Sequence, residues 1–274
     1  MKPKGKDAGV VKTDPSKFPT TFQQGPVESV ENFLMPLKLS SFDIGAMRRM
    51  KYSVILRLLQ EAAGRQLERA GLSYSILREK YEMVFLLIQA AVKIKELPKA
   101  GQNLIAETWF CGLDGARFLR GLRIYADGNA CIEVGSQWII ANPDTHRIIR
   151  PSHFPNMEAF PIKKNDPLPV SFEKMQKGAL FEENQKLATF NRRVQYSDLD
   201  QNLHLTNAAY VDLLCDYFPG GFSGNQFSML QIEFVKEARL DETIQIRSIR
   251  KENHIRYEGR LGKKTCFLAS AQLM

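Results

Sequence analysis

Residues 196–218 read YSDLDQNLHLTNAAYVDLLCDYF, and this stretch places a group of polar residues directly before an amphipathic segment. Asp198, Asp200, Asn202 and His204 fall on every second position. An extended backbone would therefore present all four side chains on one side. Carboxylate, amide and imidazole groups together are typical of a catalytic or ligand-binding site, so this stretch is the first candidate for one.

A helix is predicted immediately after the polar group. Thr206 or Asn207 is a suitable N-cap, and the Pro-Gly-Gly sequence at 219–221 ends the helix. Free backbone N–H groups and the helix dipole favour negative charge at that N-terminus, which suits acyl-transfer chemistry. The apolar stripe has helical spacing and consists of Val211, Leu214, Cys215 and Phe218.

Three other interpretations of the stretch have to be weighed. A calcium loop counted from Asp198 would need glycine at its sixth position and glutamate at its twelfth, where Leu203 and Ala209 stand. A zinc site is disfavoured because the one histidine has neither an HxxxH partner nor paired cysteines nearby. A polar turn with side-chain hydrogen bonds into a capped helix is the plain structural alternative. We expect no metal and no cofactor.

Composition and cysteine spacing limit the class of protein to which the chain belongs. The chain has 274 residues, 44% of them hydrophobic and 25% charged, which is typical of a globular protein. No apolar run approaches a membrane span, and the start of the chain lacks the apolar core of a signal peptide. The four cysteines are widely spaced and are expected to be reduced, as in the cytoplasm.

The net charge of +8 is a bias toward acidic partners or phosphorylated cofactors, although much of it is expected to be ordinary solvated surface. Nucleic acid is not expected, because no reader motif accompanies the charge. A serine hydrolase is not expected either, since residues 221–225 lack the spacing of the GxSxG elbow.

The predicted elements occur in the same order twice. Each half has a strand, a turn, a helix and then a series of antiparallel strands. In the first half the strands are predicted at 33–39, 83–94, 101–110, 117–125 and 130–141, with the helix at 47–70. In the second half they are predicted at 192–196, 227–235, 242–249, 254–261 and 266–273, with the helix at 207–218.

Local sequence supports the repeat. Residues 84–96 parallel residues 227–237, and each segment continues into a further strand. Aligning the Leu-Leu pairs at 58–59 and 213–214 puts Arg49 opposite His204. The first half thus has the scaffold without the polar group.

The sequence DLDQNLHLTN at 198–207, followed by FVKEARLDE at 234–242, resembles the acyl-acyl-carrier-protein thioesterases in their bacterial form. The resemblance covers about residue 33 to the end. It implies an α+β fold of two tandem hotdog domains, each a long helix wrapped by an antiparallel sheet. The expected divisions are a flexible arm (1–30), an N-terminal acyl-binding domain (31–152), a linker (153–186) and a C-terminal catalytic domain (187–274).

By the same resemblance, Asp200, Asn202, His204 and Glu237 match the family's catalytic positions. Glu237 would act as base toward water or as nucleophile. His204 and Asn202 would orient the water or polarise the carbonyl, and Asp200 would hold them. The position after the glutamate is often cysteine in the family but is Ala238 here. A Cys–His–Asn nucleophile is therefore not available.

The resemblance also implies that the acyl chain lies in the first half, against the helix that carries Ile55, Leu58, Leu59 and Ala62. The expected reaction is hydrolysis of acyl-ACP (acyl-acyl-carrier-protein) thioesters to a free fatty acid and holo-ACP in fatty acid biosynthesis. An acyl-CoA thioesterase and a non-catalytic acyl-thioester-binding module are the alternatives. Acyl-chain length and oligomeric state, including a homodimer, are left open.

Overall fold

Antiparallel strands and three α-helices make up the part of the chain that the computed structural model describes, residues 32–160, 167–175 and 187–274. The first half contains β1 (Asn32–Leu37), α1 (Tyr52–Arg69), α2 (Tyr74–Tyr81), β2 (Val84–Ile94), β3 (Leu104–Asp114), β4 (Arg117–Ala126), β5 (Asn129–Ala141) and β6 (Ile148–Ile149). The second half contains β7 (Ala188–Arg193), α3 (Asn207–Asp216), β8 (Phe227–Phe234), β9 (Thr243–Lys251), β10 (His254–Leu261) and β11 (Lys264–Leu273).

All the described strands belong to one sheet. Their order is β1-β3-β4-β5-β2-β8-β11-β10-β9-β7, and the short β6 pairs with β5. The two halves meet at β2 and β8, which pair antiparallel from Gln89 opposite Glu233 to Lys93 opposite Met229. Each half supplies five of the ten strands in this order, so the sheet is continuous across the repeat.

The helices bury their apolar faces against this sheet and against each other. The stripe of α1 includes Ile55, Leu59 and Ala62, and Val211 and Leu214 of α3 belong to the same core. Tyr52 at the start of α1 accepts a hydrogen bond through its Oη from the backbone N–H of Phe227 in β8, at 2.9 Å. The helix of the first half is thus fixed to a strand of the second.

The turn before each long helix shows the repeat in backbone detail. Ser41–Asp43 and Tyr196–Asp198 are short 3₁₀ helices, each closed by a capping box. Isolated bridges then join Ile44 to Met50 and Leu199 to Leu205. Arg48 and Leu203 occupy the same left-handed position in the two turns, with φ of 57° and 62°.

Residues 167–175 cross the outer face of the sheet at the junction of the halves. The backbone N–H of Glu173 donates to Gln231 Oε1 at 2.8 Å, and Gln231 Nε2 donates back to the Glu173 carbonyl at 2.7 Å. On the other side of the junction, a Cβ built on Gly135 would lie 2.1 Å from the Val170 carbonyl oxygen. This segment therefore lies directly on strands of both halves.

Most predicted elements are confirmed, but several bounds differ. The sequence predicts a strand at 192–196, whereas β7 spans Ala188–Arg193, because the chain turns into a 3₁₀ helix at Tyr196. The short β6 has no predicted counterpart. The long helix begins at Tyr52, later than predicted, because residues 44–50 form the bridged turn. β3 continues to Asp114, beyond the predicted end at 110. The sequence analysis missed α2, a short helix that starts where Ser73 Oγ accepts from the Ile76 N–H at 3.3 Å.

Two domain predictions fall partly or wholly outside the described residues. The predicted arm at 1–30 lies outside them, as do residues 161–166 and 176–186 of the predicted linker. Among the helices that are described, none is both long and apolar enough to span a membrane.

Candidate active site

The polar loop before α3 is a tight turn held by Asp200. The Asp200 Oδ1 atom accepts hydrogen bonds from the backbone N–H groups of Asn202 at 2.8 Å and of His204 at 3.1 Å. The Asp200 N–H donates to the His204 carbonyl at 2.8 Å. Thr206 then caps α3, accepting from the Ala209 N–H at 3.3 Å. Asp200 thus fixes the backbone that presents Asn202 and His204.

The expectation that Asp198, Asp200, Asn202 and His204 share one side of an extended segment is wrong for Asp198. The backbone turns at the 3₁₀ helix and again at Leu203, so alternate residues do not point the same way. Asp198 instead pairs with Arg192, the shorter N–O contact being 2.8 Å. Its carboxylate stabilises the entry to the loop and is not part of the site.

His204 and Glu237 meet although they are far apart in the chain. His204 Nε2 lies 3.1 Å from Glu237 Oε2, with 17% of the histidine side chain and 36% of the glutamate side chain exposed. The backbone beneath them is also paired, since the Leu205 N–H donates to the Ala238 carbonyl at 2.8 Å. The segment that leaves β8 therefore brings an accessible carboxylate next to the imidazole.

Tyr74 of α2 adds a contact that the sequence did not indicate. Its Oη donates to the Asn202 Oδ1 at 2.6 Å. With the side-chain oxygen occupied, the Asn202 amide nitrogen is free to donate elsewhere. The first half thus orients a side chain of the second half, and no local pattern around Tyr74 marks this role.

An apolar cavity of about 380 Å³ opens beside the polar loop. Asp200, Gln201 and Asn202 line one end of it, and the remainder is bounded by α1, α2 and the sheet of the first half. The lining is rich in aromatic side chains, including Phe85, Phe110, Phe118, Trp138, Phe154 and Phe160. The size and lining suit a linear hydrocarbon chain.

The expected acyl-binding residues Ile55, Leu58, Leu59 and Ala62 do not line this cavity. All four are buried in the core between α1, α3 and the sheet. α1 instead presents a neighbouring face to the cavity, made of Gln60, Glu61, Ala63, Gly64 and Leu67. The apolar stripe of a helix faces the protein core, so the residues beside that stripe are the ones that remain available to a ligand.

A second concave region, of about 460 Å³, lies on the other side of the loop. It contains His204 and Glu237, and Arg78 and Arg239 are among the other lining residues. Val84, Gln201 and Asn202 line both this groove and the aromatic cavity. The two spaces therefore meet at Asn202, next to the imidazole and the carboxylate.

The corresponding turn of the first half has an ion pair where the second half has the imidazole. Arg49 Nη1 lies 2.7 Å from Glu96 Oε1. A cavity of about 520 Å³ adjoins this turn, but charged residues such as Asp212, Asp216 and Arg192 are part of its lining. At this turn the first half therefore has a guanidinium where the second half has the imidazole of His204.

Three of the four thiols are unsuited to act as nucleophiles. None of the four cysteines forms a disulfide bond. Burial raises the pKa of Cys131 and of Cys266 to about 11, and it raises the pKa of Cys215 as well. Ala238, the position that is often cysteine in the resembling family, is fully buried behind Glu237. An oxygen nucleophile is consistent with this arrangement.

Comparison with known families and sequences gives the following matches. Residues 31–152 match the acyl-ACP thioesterase N-terminal domain, and residues 182–264 match the acyl-ACP thioesterase C-terminal domain. The chain is 25% identical over 224 residues to a chloroplastic palmitoyl-acyl carrier protein thioesterase of Arabidopsis thaliana, covering 78% of this chain and 54% of the relative. It is 22% identical over 224 residues to a dodecanoyl-[acyl-carrier-protein] hydrolase of Cinnamomum camphora, covering 78% and 58%. The chain thus spans about half the length of the curated relatives that it matches.

Solved structures share the fold. An acyl-ACP thioesterase from Bacteroides thetaiotaomicron superposes with a TM-score of 0.76 at 18% identity, covering 89% of this chain and 98% of that one. The 12:0-ACP thioesterase from Umbellularia californica superposes with a TM-score of 0.74 at 16% identity, covering 89% and 94%.

Proposed function

The chain belongs to the acyl-ACP thioesterase family and has its tandem hotdog fold, and from this premise we propose that it hydrolyses fatty acyl thioesters of acyl carrier protein. The products are a free fatty acid and holo-ACP, and the reaction belongs to fatty acid biosynthesis. The observation that carries the proposal is the contact of 3.1 Å between His204 Nε2 and Glu237 Oε2 at the place where an apolar cavity meets an open groove.

In the proposed reaction, the acyl chain occupies the aromatic cavity and its thioester carbonyl lies near Asn202. The carboxylate of Glu237 takes a proton from water while the water oxygen attacks the carbonyl carbon. The Asn202 side-chain amide donates to the oxyanion that forms. The C–S bond then breaks, and the departing sulfur receives the proton that Glu237 had taken. Attack by the Glu237 carboxylate itself, followed by hydrolysis of the anhydride, is the alternative route.

His204 and Asp200 have supporting roles in this scheme. His204 donates through Nε2 to the Glu237 carboxylate and so fixes the base beside the carbonyl carbon. Asp200 holds the backbone of Asn202 and His204 through its two hydrogen bonds. In this scheme all four side chains act, directly or through one another, on the thioester carbonyl group.

The test is steady-state hydrolysis of acyl-ACP by single variants. Asn202→Ala removes an oxyanion donor, and it is expected to lower kcat by roughly 100- to 1000-fold. His204→Ala and Glu237→Gln are expected to be at least as damaging. Glu79→Gln, on the exposed face of α2, is the matched control and should keep wild-type turnover. Wild-type rates in Glu237→Gln and His204→Ala would exclude this assignment.

The carrier is the second part of the proposal. Arg78 and Arg239 line the groove and are exposed, and the net charge of the chain is +8. This positive surface favours an acidic carrier protein over a small acyl-CoA, because the carrier protein presents more negative charge to the groove. With the same acyl group on both carriers, kcat/KM should be higher for ACP and should fall more steeply with salt. Equal values with equal salt dependence would favour the acyl-CoA alternative.

The cellular location and the oligomeric state are the remaining parts of the proposal. Four cysteines without a disulfide bond fit a reducing compartment such as the cytoplasm. A homodimer is a hypothesis that a mass measurement in solution tests directly.

A further inference from the structure

Arg120 is a buried cation in the apolar cavity. It lies on β4, 8% exposed, and it is among the residues that line the cavity beside Phe118 and Trp138. Burial lowers the pKa of Arg120 to about 10, so the guanidinium keeps its charge at neutral pH. A positive charge in such surroundings is costly unless something compensates it.

The protein supplies neutral groups to Arg120 and no carboxylate. Its Nη1 donates to Gln66 Oε1 and, at 3.2 Å, to Thr108 Oγ1. Among the described residues no carboxylate oxygen forms an ion pair with Arg120, whereas Arg117 and Arg123 on the same strand each have one. The hydrogen bonds of the guanidinium to described residues all leave from Nη1, so Nε and Nη2 have capacity to donate to a ligand.

The protein surrounds Arg120 with neutral polar side chains. Gln66, Thr108 and Ser136 are completely buried. Ser136 Oγ donates to the Arg120 carbonyl at 3.0 Å, and Thr108 Oγ1 donates to the Gly121 carbonyl at 2.8 Å. These side chains therefore form a buried polar patch behind Arg120, and Arg120 is the member of the patch that lines the aromatic cavity.

The patch lies at a distance from the thioester end. Along β5, Ala141 pairs with Val84, which lines both the groove and the cavity, while Ser136 pairs with Arg120. Ala141 and Ser136 are separated by roughly 16 Å at about 3.3 Å per residue. An acyl chain whose carbonyl lies at Asn202 would therefore bring its distal part, not its thioester, to Arg120.

We propose, resting on the thioesterase function above, that the substrate is an acyl chain with an oxygen substituent in its distal part, and that Arg120 binds this oxygen. A hydroxyl, carbonyl or carboxylate oxygen accepts hydrogen bonds from a guanidinium, and a carboxylate also neutralises its charge. A plain alkyl terminus accepts no hydrogen bond and carries no negative charge, so it leaves the buried guanidinium uncompensated. Arg120 is thus a specificity-determining residue at the far end of the cavity.

The experiment compares matched acyl-ACP thioesters over a series of chain lengths. Each length is prepared as the plain alkyl chain, the terminal hydroxy chain and the terminal carboxy chain. At the best length for each type, the wild-type kcat/KM should be higher for an oxygenated chain. In Arg120→Met the ratio of oxygenated to plain chains should fall by roughly 10- to 150-fold, which corresponds to loss of a hydrogen bond from a charged donor.

Two further measurements separate this role from a structural one. Arg120→Gln keeps a hydrogen-bond donor without the charge, and it should retain part of the preference for the hydroxy chain but lose that for the carboxy chain. Binding of the free acids to wild type, measured by calorimetry, gives the same comparison without any chemical step and without a variant that has to fold.

The outcomes are distinct. A wild type whose kcat/KM for plain chains equals or exceeds that for both oxygenated chains at every length overturns the role of Arg120 and leaves the thioesterase function standing. Equal losses on all chains in Arg120→Met mean that the arginine only supports the fold, which also overturns it. Failure to hydrolyse any thioester overturns the proposed function, and weaker binding of oxygenated acids than of plain acids then overturns this proposal as well.

Discussion

Asn202 shows how much of the site depends on the orientation of single groups. Its backbone N–H is held by Asp200 at 2.8 Å, and its side-chain oxygen accepts from Tyr74 Oη at 2.6 Å. Leu203, the next residue, has φ of 62°, a conformation that a non-glycine residue adopts at a cost in free energy. The rest of the fold keeps this strained turn in place. Because the Asn202 side-chain oxygen is bonded to Tyr74, the Asn202 amide nitrogen points away from Tyr74.

Tyr74→Phe tests this orientation. The variant keeps the ring and removes the hydrogen bond to Asn202, so the amide becomes free to rotate. We expect kcat on acyl-ACP to fall by roughly 2- to 12-fold, the range for loss of one neutral hydrogen bond, with KM little changed. Tyr196→Phe, whose side chain is 81% exposed, is the matched control and should behave as wild type. An unchanged kcat in Tyr74→Phe would mean that Asn202 is held by the loop alone.

The thiols allow a second test at this scale. Burial raises the pKa of Cys131, Cys215 and Cys266, so little thiolate is present near neutral pH and these groups are poor nucleophiles. Treatment of the native enzyme with iodoacetamide at pH 7 should leave hydrolysis of acyl-ACP intact. Loss of activity in proportion to modification of one cysteine would contradict the proposed oxygen-based chemistry.

At the scale of elements, the segment at 167–175 joins the halves from outside the sheet. Gly135, Ala91 and Gln231 lie in one row across β5, β2 and β8. The segment passes over this row, with Val170 above Gly135 and Glu173 bonded to Gln231. A glycine is needed at 135 because the backbone of the crossing segment occupies the space of a side chain.

Gly135→Ala is therefore expected to destabilise the protein. The added Cβ would lie 2.1 Å from the Val170 carbonyl oxygen, so the crossing segment has to move. We expect a loss of about 1–3 kcal/mol in the free energy of unfolding, as for other overpacking changes. Gly64→Ala in α1 is the matched control, because its Cβ would have nothing within 4 Å. That variant should gain up to about 1 kcal/mol from helix propensity. Urea denaturation of both variants measures the difference, and equal stability would show that the segment yields freely.

At the scale of the whole molecule, the two halves of the repeat carry different groups. The turn of the first half carries the Arg49–Glu96 ion pair, and its helix and sheet enclose the aromatic cavity. The turn of the second half carries Asn202 and His204, and the strand that leaves the junction brings Glu237. The proposed reaction needs both halves, since Tyr74 and the cavity come from one and the side chains assigned to the chemistry come from the other.

A continuous sheet predicts that the two halves unfold together. The β2–β8 pairing and the bond from the Phe227 N–H to Tyr52 Oη both cross the junction, so separating the halves would expose strand edges and an unpaired buried N–H group. Urea unfolding followed by near-ultraviolet and far-ultraviolet circular dichroism should give coincident single transitions. Two separated transitions, or independent folding of residues 187–274, would show that the halves are autonomous.

The sequence by itself determined the types and order of most elements, the tandem repeat, and the polar residues Asp200, Asn202, His204 and Glu237. These follow from local periodicity, turn residues and a family motif, all of which can be read within one stretch of chain. Their catalytic roles stay predictions.

Only the tertiary structure decided that Glu237 contacts His204, that Tyr74 orients Asn202 and that Asp198 turns away to Arg192. It also decided that the cavity uses Ala63, Gly64 and Leu67 of α1 in place of Ile55, Leu58, Leu59 and Ala62. The physical reason is that apolar residues facing a core and those facing a ligand have the same pattern in sequence. Contacts between distant segments depend on how the sheet and helices pack, which no local pattern encodes.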